Sequence, residues 1–250
     1  MQLIPAIDLR HGEVVRLVQG DDGRRRSYDR DPREVLRGFI EAGAERVHVV
    51  DLDAAFGETP QRQLIAELAA GEVHIELGGG LHDLAAVEWA LEAGCERVVL
   101  GSIVARDAVT FQSIVEAVPG RVVPALELAH GKLRIAGWRE EAQVSLAEVA
   151  ARLRGLPCPA VLVTDVERDG MLEGPNFELV RQVSELTGLP ALLSGGVRSL
   201  DDLRAASQVP EIAGAIVGKA LYEGLFTVHE ALVACGGNEV PVATAAEANA

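Results

Sequence analysis

The sequence predicts an α/β protein, a single (β/α)8 TIM barrel with a half-barrel internal repeat. Three observations carry this. Strand-like apolar runs end at Ile7, Val50, Glu76, Leu100, Leu126, Val163, Leu193 and Val217, about 25–45 residues apart. Between most of them lie amphipathic patterns with apolar residues near i, i+3, i+4 and i+7, for example over 32–42, 86–93, 146–153, 178–185 and 200–206. Composition does not shift along the 250 residues, of which 48% are apolar, so one large core is expected, not two domains.

Bulk properties narrow the function. No apolar run approaches the ~18 residues of a membrane span. The start, Met-Gln-Leu-Ile-Pro, enters a strand at once and has no basic leader region. Cys95, Cys158 and Cys235 are scattered, odd in number and without metal spacing, which suits buried thiols in a reducing cytoplasm. A net charge of −15 argues against nucleic acid or an anionic membrane as partner, so an anionic ligand must be held by local devices. A monomer is expected.

Taken in order, the first strand ends near Asp8. The connection over 9–31 is long and charged, and reads as a lid or binding loop. The second strand is followed by Asp51 and Asp53, which serve equally well as helix caps or as site residues. His74 falls inside the third strand and is expected to be packed. The third and fourth strands close in Leu77-Gly-Gly-Gly80 and Gly101-Ser102. The fifth ends at Glu127, and Trp138 lies in the loop beyond, where an indole could stack on a planar heterocycle. The sixth stops at Thr164-Asp165 and passes into a charged loop with Asp169-Gly170. The seventh and eighth close in Ser194-Gly-Gly196 and Gly218-Lys219. The barrel is expected over 1–235. The Ala-, Glu- and Asn-rich tail, 236–250, is expected to fray.

A repeat runs through this order. Gly79-Gly80 recurs as Gly195-Gly196, 116 residues on, and Gly101 as Gly218, 117 on. Asp8 is matched by Glu127, 119 on. Three matches in register suggest a duplicated half-barrel and a ligand with two similar ends.

Glycine turns at strand ends let backbone N–H groups face a phosphate, although single glycines also serve plain tight turns. Paired turns on adjacent strands, repeated half a barrel away, point to two phosphates on opposite sides of the mouth. Asp8 and Glu127, on strands one and five, would face each other across the barrel. That suits one group taking a proton while another gives one. His11, His130 and His229 show no ligand spacing and no His-Cys-Asp cluster stands at metal spacing, so no metal is expected. Neither the Rossmann glycine fingerprint nor a Walker loop occurs, so dinucleotides and nucleoside triphosphates lack support.

Several motifs together carry a family resemblance. They are Pro5-Ala-Ile-Asp8, Val15-Arg16-Leu-Val-Gln19-Gly20-Asp21, His48-Val-Val-Asp51-Leu-Asp53-Ala-Ala-Phe56, Gly78-Gly-Gly80, Thr164-Asp-Val-Glu-Arg-Asp169-Gly170, Gly174-Pro-Asn176, Ser194-Gly-Gly196 and Val217-Gly-Lys219-Ala-Leu-Tyr-Glu-Gly224. Over about 1–234 the chain resembles the ProFAR isomerase of histidine biosynthesis. The sister cyclase family usually has Cys-Leu-Asp where this chain has Ala6-Ile7-Asp8.

The resemblance implies an Amadori rearrangement of a bisphosphorylated ribotide in the cytoplasm, without metal or cofactor. It implies Asp8 as the base, Asp169 or Glu127 as the acid that opens the ribose, and Thr164 as an orienting residue. It also implies substrate and phosphate contacts from Arg16, Gln19, Gly79, Gly80, Gly101, Ser102, Trp138, Gly170, Ser194, Gly195, Gly196, Gly218 and Lys219. The chain departs from the family at Glu127, usually Asp, at Leu81-His82, usually Ile-Arg, and at Met171, usually Thr. A dual isomerase that also takes phosphoribosylanthranilate, or a non-catalytic sugar-phosphate-binding barrel, are the alternatives.

Overall fold

The computed structural model describes residues 1–18 and 20–236. The expectations for Gln19 and for the tail beyond Gly236 fall outside these residues. Eight parallel strands close on themselves: β1 (Gln2–Arg10), β2 (Arg46–Asp51), β3 (His74–Gly78), β4 (Arg97–Leu100), β5 (Val122–Ala129), β6 (Val161–Asp165), β7 (Ala191–Ser194) and β8 (Ile212–Val217). Each pairs with its sequence neighbour, and β8 pairs with β1 through Gln2↔Gly214 to Pro5↔Val217. No sheet edge among these strands is left open, which is how a barrel avoids exposed ladder groups.

Helices start where the sequence supplies caps. Asp31 accepts the Arg33 N–H at 2.8 Å ahead of Pro32–Glu41, with Pro at the first position. Ser145 with Glu148, Ser199 with Asp202 and Thr227 with Glu230 form reciprocal capping boxes. Phe177–Thr187 ends on Gly188 in the left-handed region. Helices Arg62–Ala69 and Ala108–Ala117 lie in the outer layer as well.

Two apolar layers result. Ile4, Ala6, Val99, Val123, Ala125, Ala160, Leu162, Leu192 and Ile216 fill the barrel, and a larger cluster lies between strands and helices. Cys95, Cys158 and Cys235 are buried free thiols. Among the described residues no helix is long and apolar enough to cross a membrane.

Two expectations need correction. The 9–31 connection, expected as a lid or binding loop, is built largely of regular strands. β1 runs on to Arg10, and Glu13–Val18 folds back antiparallel on it with Asp8↔Val15, then pairs with Asp21–Ser27. Val15 and Leu17 share one face and pack on Leu52, while Val14 faces the other way into the main core, so both faces of this strand are partly covered. His74 is not packed. It opens β3 at the barrel's lower rim with its side chain 56% exposed and Nδ1 3.6 Å from Glu96, because the first residue of a strand still lies outside the layer of helices.

Candidate active site

A cavity of about 190 Å³ opens at the carboxyl ends of the strands, where parallel barrels assemble their sites. Asp8, Arg16, Gly79, Gly80, Gly101, Ser102, Glu127, Trp138, Thr164, Asp169 and Ser194 all line it. A smaller adjoining recess is lined by Arg16, Asp169, Gly170, the Ser194–Gly196 turn, Gly218 and Lys219.

The three carboxylates sit differently. Asp8, inward on β1, holds Arg16 by Oδ2–Nη1 at 2.6 Å. Burial works against the Arg16 charge, but Asp8 and Asp169 outweigh it and keep the guanidinium above its ordinary range. Glu127, on the opposite strand and in register with Thr164, is half-buried. Desolvation pushes its carboxyl up to about 7, the Trp138 indole pulls it back, and Asp169 adds to the rise. Burial also raises the Asp169 carboxyl, with Arg16 opposing, Asp8 reinforcing and Lys219 opposing. Two carboxyl groups that hold protons more tightly than usual thus face a third that is paired with a cation.

The glycine turns leave no room for side chains. A Cβ on Gly79 would stand 2.2 Å from the Asp51 carbonyl oxygen, and one on Gly80 2.3 Å from Ala54 Cβ. Half a barrel on, a Cβ on Gly195 would meet the Asp165 carbonyl at 2.9 Å and one on Gly196 the Gly174 carbonyl at 2.5 Å. Both turns therefore pack on the segment after the preceding strand, where Asp51 accepts from Ala54 N and Gln61 N and Asp165 accepts from Glu167 N and Asn176 Nδ2. Asp51 is a cap, and Asp53 is the buried partner of Arg10 at 2.7 Å. Both are structural.

Around these, Lys219 Nζ donates to the Gly170 carbonyl at 2.6 Å. Ser102 Oγ accepts from Ala136 N at 2.9 Å and so anchors the loop that carries Trp138. That loop holds Ala136, Gly137 and Trp138 all at positive φ. The indole lies over Gly20, whose Cβ would come within 2.7 Å of it. Of the departures, His82 is exposed at the cavity rim and Met171 lies 38% exposed outside it.

Two features were not read from the sequence. His48 lines the cavity and pairs with buried Glu76. Strand alternation through Arg46, His48 and Val50 was the available signal. In addition, His11, Asp53 and Glu58 bring ligand atoms within 4.8 Å of one another, a trio that chain spacing cannot reveal. Arg10 already occupies it, reaching Asp53 and Glu58 at 2.7 Å each and Asp22 at 3.2 Å.

A closed barrel with paired glycine turns and opposed carboxyls at one mouth has the layout of an acid–base enzyme for phosphorylated substrates. The chain belongs to the histidine biosynthesis protein family, whose model matches residues 2–227. It is 44% identical over 237 residues (94% of this chain, 93% of the relative) to a 1-(5-phosphoribosyl)-5-((5-phosphoribosylamino)methylideneamino) imidazole-4-carboxamide isomerase of Frankia casuarinae. A protein of the same name from Parafrankia sp. is 44% identical over 246 residues, covering 98% and 99% of the two chains. Phosphoribosyl isomerase A of Streptomyces griseus is 45% identical over 237 residues, covering 94% and 98%.

Proposed function

We propose that this chain is the aldose–ketose isomerase its relatives' names describe. It would convert the bisphosphorylated formimino aminoimidazole carboxamide ribotide from aminoaldose to aminoketose. The single observation that supports this is the two glycine turns at opposite strands of one mouth, Gly79-Gly80 and Gly195-Gly196, with Asp8 and Glu127 both lining the cavity between them. Two phosphates set that far apart would suspend a ribose over the carboxyls.

Glu127 holds a proton near neutrality and gives it to the ribose ring oxygen as the C1–O bond breaks and the C1–N iminium forms. Asp169, also proton-retaining, is the second candidate for this step. Asp8 then takes the C2 proton, leaving an enaminol. Return of a proton to C1 and loss of the hydroxyl proton give the C2 ketone. Oδ1 of Asp8 is not engaged by Arg16, so the base need not break its ion pair to reach C2. Thr164, beside Glu127 in register, orients the substrate, and Arg16 and Lys219 neutralise the phosphate at β7 and β8. No step calls for a metal or cofactor. The protein acts as a monomer in the cytoplasm. Three cavity-facing carboxyls favour this reading over a non-catalytic barrel.

Turnover of the aminoaldose by purified protein tests it. Asp8→Asn should lower kcat by about 1000-fold or more while KM changes little. A variant that keeps more than a few per cent of kcat would overturn the assignment.

A further inference from the structure

The floor of the cavity is apolar except at one place. Ala6, Val99, Ala125, Leu162 and Ile216 line it, as expected of a packed barrel interior. His48 stands among them, 7% exposed. Its Nδ1 lies 2.7 Å from Oε1 of Glu76, a residue with no solvent exposure. The other Glu76 oxygen accepts from Arg97 Nε at 2.7 Å and Nη2 at 2.5 Å. Strand register puts His48 opposite Glu76 and Glu76 opposite Arg97. The three side chains thus form a file inside the barrel from its lower rim to the cavity floor.

The chemistry of the file is directional. Burial opposes the Glu76 charge, but the hydrogen bond from His48 and the charge and hydrogen bonds of Arg97 hold the carboxyl below its usual range. An ionised carboxylate only accepts hydrogen bonds, so the Nδ1 of His48 carries a proton. In the neutral ring Nε2 then presents a lone pair. No described residue bonds Nε2, and the ring lines the cavity. Gly78, whose Cβ would stand 3.8 Å from His48 Cε1, leaves that side of the ring clear. Sinking a carboxylate and a guanidinium into a barrel that apolar residues would otherwise fill brings a desolvation penalty and little stability. What the file does supply is one tautomer in one orientation. This is the relation of orienting carboxylate to imidazole found where a ring nitrogen must meet a ligand.

We infer that His48 is a substrate-contacting residue whose Nε2 accepts a hydrogen bond from an N–H or O–H of the bound ribotide, and that Glu76 and Arg97 are positioning residues that fix its tautomer. The inference rests on the isomerase reading above.

Nitrogen-15 NMR of the full chain, with the His48 resonances assigned by substitution, tests it alongside steady-state kinetics. The wild type should show His48 protonated at Nδ1 and bare at Nε2, and Nε2 should shift when the aminoketose product is added. Glu76→Gln should scramble the tautomer and lower kcat/KM by about 10-fold or more. His48→Leu should lower kcat/KM at least as far, and His48→Gln, whose amide oxygen reaches toward the Nε2 position, should recover part of it. Arg97→Lys should keep the tautomer and most of the activity.

A folded His48→Leu variant within twofold of wild-type kcat/KM, or a Glu76→Gln variant with unchanged tautomer and kcat/KM, overturns the inference. If these variants do not fold, the wild-type spectrum decides. An Nε2 unmoved at saturating product overturns it as well. Wild-type protein with no aminoaldose turnover would instead fail the isomerase reading, and that result is distinct from a His48→Leu variant that matches an active wild type.

Discussion

The Arg16 guanidinium lies flat against Gly218: a Cβ on that glycine would stand 2.4 Å from Arg16 Cζ and Nη2. Gly218 closes β8 and Arg16 comes from the hairpin that follows β1, so the backbone after the last strand seats a cation carried by the segment after the first, at the same mouth of the barrel. From there Arg16 reaches Asp8 at 2.6 Å and borders the recess at β7 and β8. One side chain therefore joins the proposed base to the proposed phosphate seat.

Gly218→Ala should separate these roles. Its φ of −116° lies outside the left-handed region that favours glycine, and the clash falls on the movable end of a side chain. Stability should change by less than about 1 kcal/mol, while the KM for the ribotide should rise by about 10-fold as Arg16 is displaced. Thermal denaturation and steady-state kinetics read the two effects. A large fall in Tm with unchanged KM would contradict the seat.

Gly80 should behave in the opposite way. Its φ is +68°, and a Cβ would meet Ala54 Cβ at 2.3 Å and Ala54 backbone atoms at 2.6 and 2.7 Å. Gly120 has a similar φ of +78° but nothing within 4 Å. Gly120→Ala should cost about 1 kcal/mol from the backbone alone, and Gly80→Ala should cost clearly more. Equal losses in urea titrations would show that the turn yields without strain. Substituting Gly80 or Gly196 with Asp would disturb the fold along with phosphate binding, so neither isolates the binding term.

Arg10 should matter more for stability than its place in a charged surface segment suggests. It is 6% exposed, is ion-paired to Asp53, Glu58 and Asp22, and lies 5.0 Å over the Phe56 ring. Arg10→Met leaves the buried Asp53 carboxylate without its main partner, and about 3–5 kcal/mol should be lost in chemical denaturation. Added divalent metal should leave the Tm of the wild type unchanged, since Arg10 fills the space among His11, Asp53 and Glu58.

The contrast between Arg10 and Gly80 shows which features the chain discloses. Strand ends, caps and glycine turns are local, and the residues that make them are adjacent in sequence. The helical patterns over 32–42 and 146–153 and the Gly-Gly pairs could therefore be placed within a few positions. The half-barrel repeat was visible for the same reason. Arg10 and His48 are set by partners 43 and 28 residues away, and no local pattern distinguishes a buried ion pair from a charged loop or a packed histidine. The hairpin over Glu13–Ser27 was hidden because its charged residues mask the alternation of its inner face. His74 was misplaced because a strand's first residue shares its composition but not its burial.

Glu127 offers the most discriminating test. Its carboxyl titrates near 7 in the folded protein, against about 4.3 for free Glu. The folded state therefore binds this proton more tightly, and the stability contributed by Glu127 is fully present below about pH 4.3 and is lost as pH rises through about 7. Glu127→Gln removes the charge, so the Tm of the variant minus that of the wild type should grow between about pH 5 and 7 and level off above. Turnover should fall in the wild type above pH of about 7, as the acid loses its proton, and Glu127→Gln should lower kcat by about 100-fold. Glu127→Asp then asks whether the site is built around the longer side chain. The Trp138 indole bears on this carboxylate, and Gly101 leaves only 3.3 Å between a would-be Cβ and Oε2. Both contacts depend on Glu length. Shortening it by one methylene should withdraw the carboxyl from both and lower kcat by about 10-fold, or about 1.4 kcal/mol in the barrier. A kcat equal to or above the wild type's in Glu127→Asp would show that the cavity accepts the shorter acid unaided, and that Trp138 and Gly101 do not set the position of the proton donor.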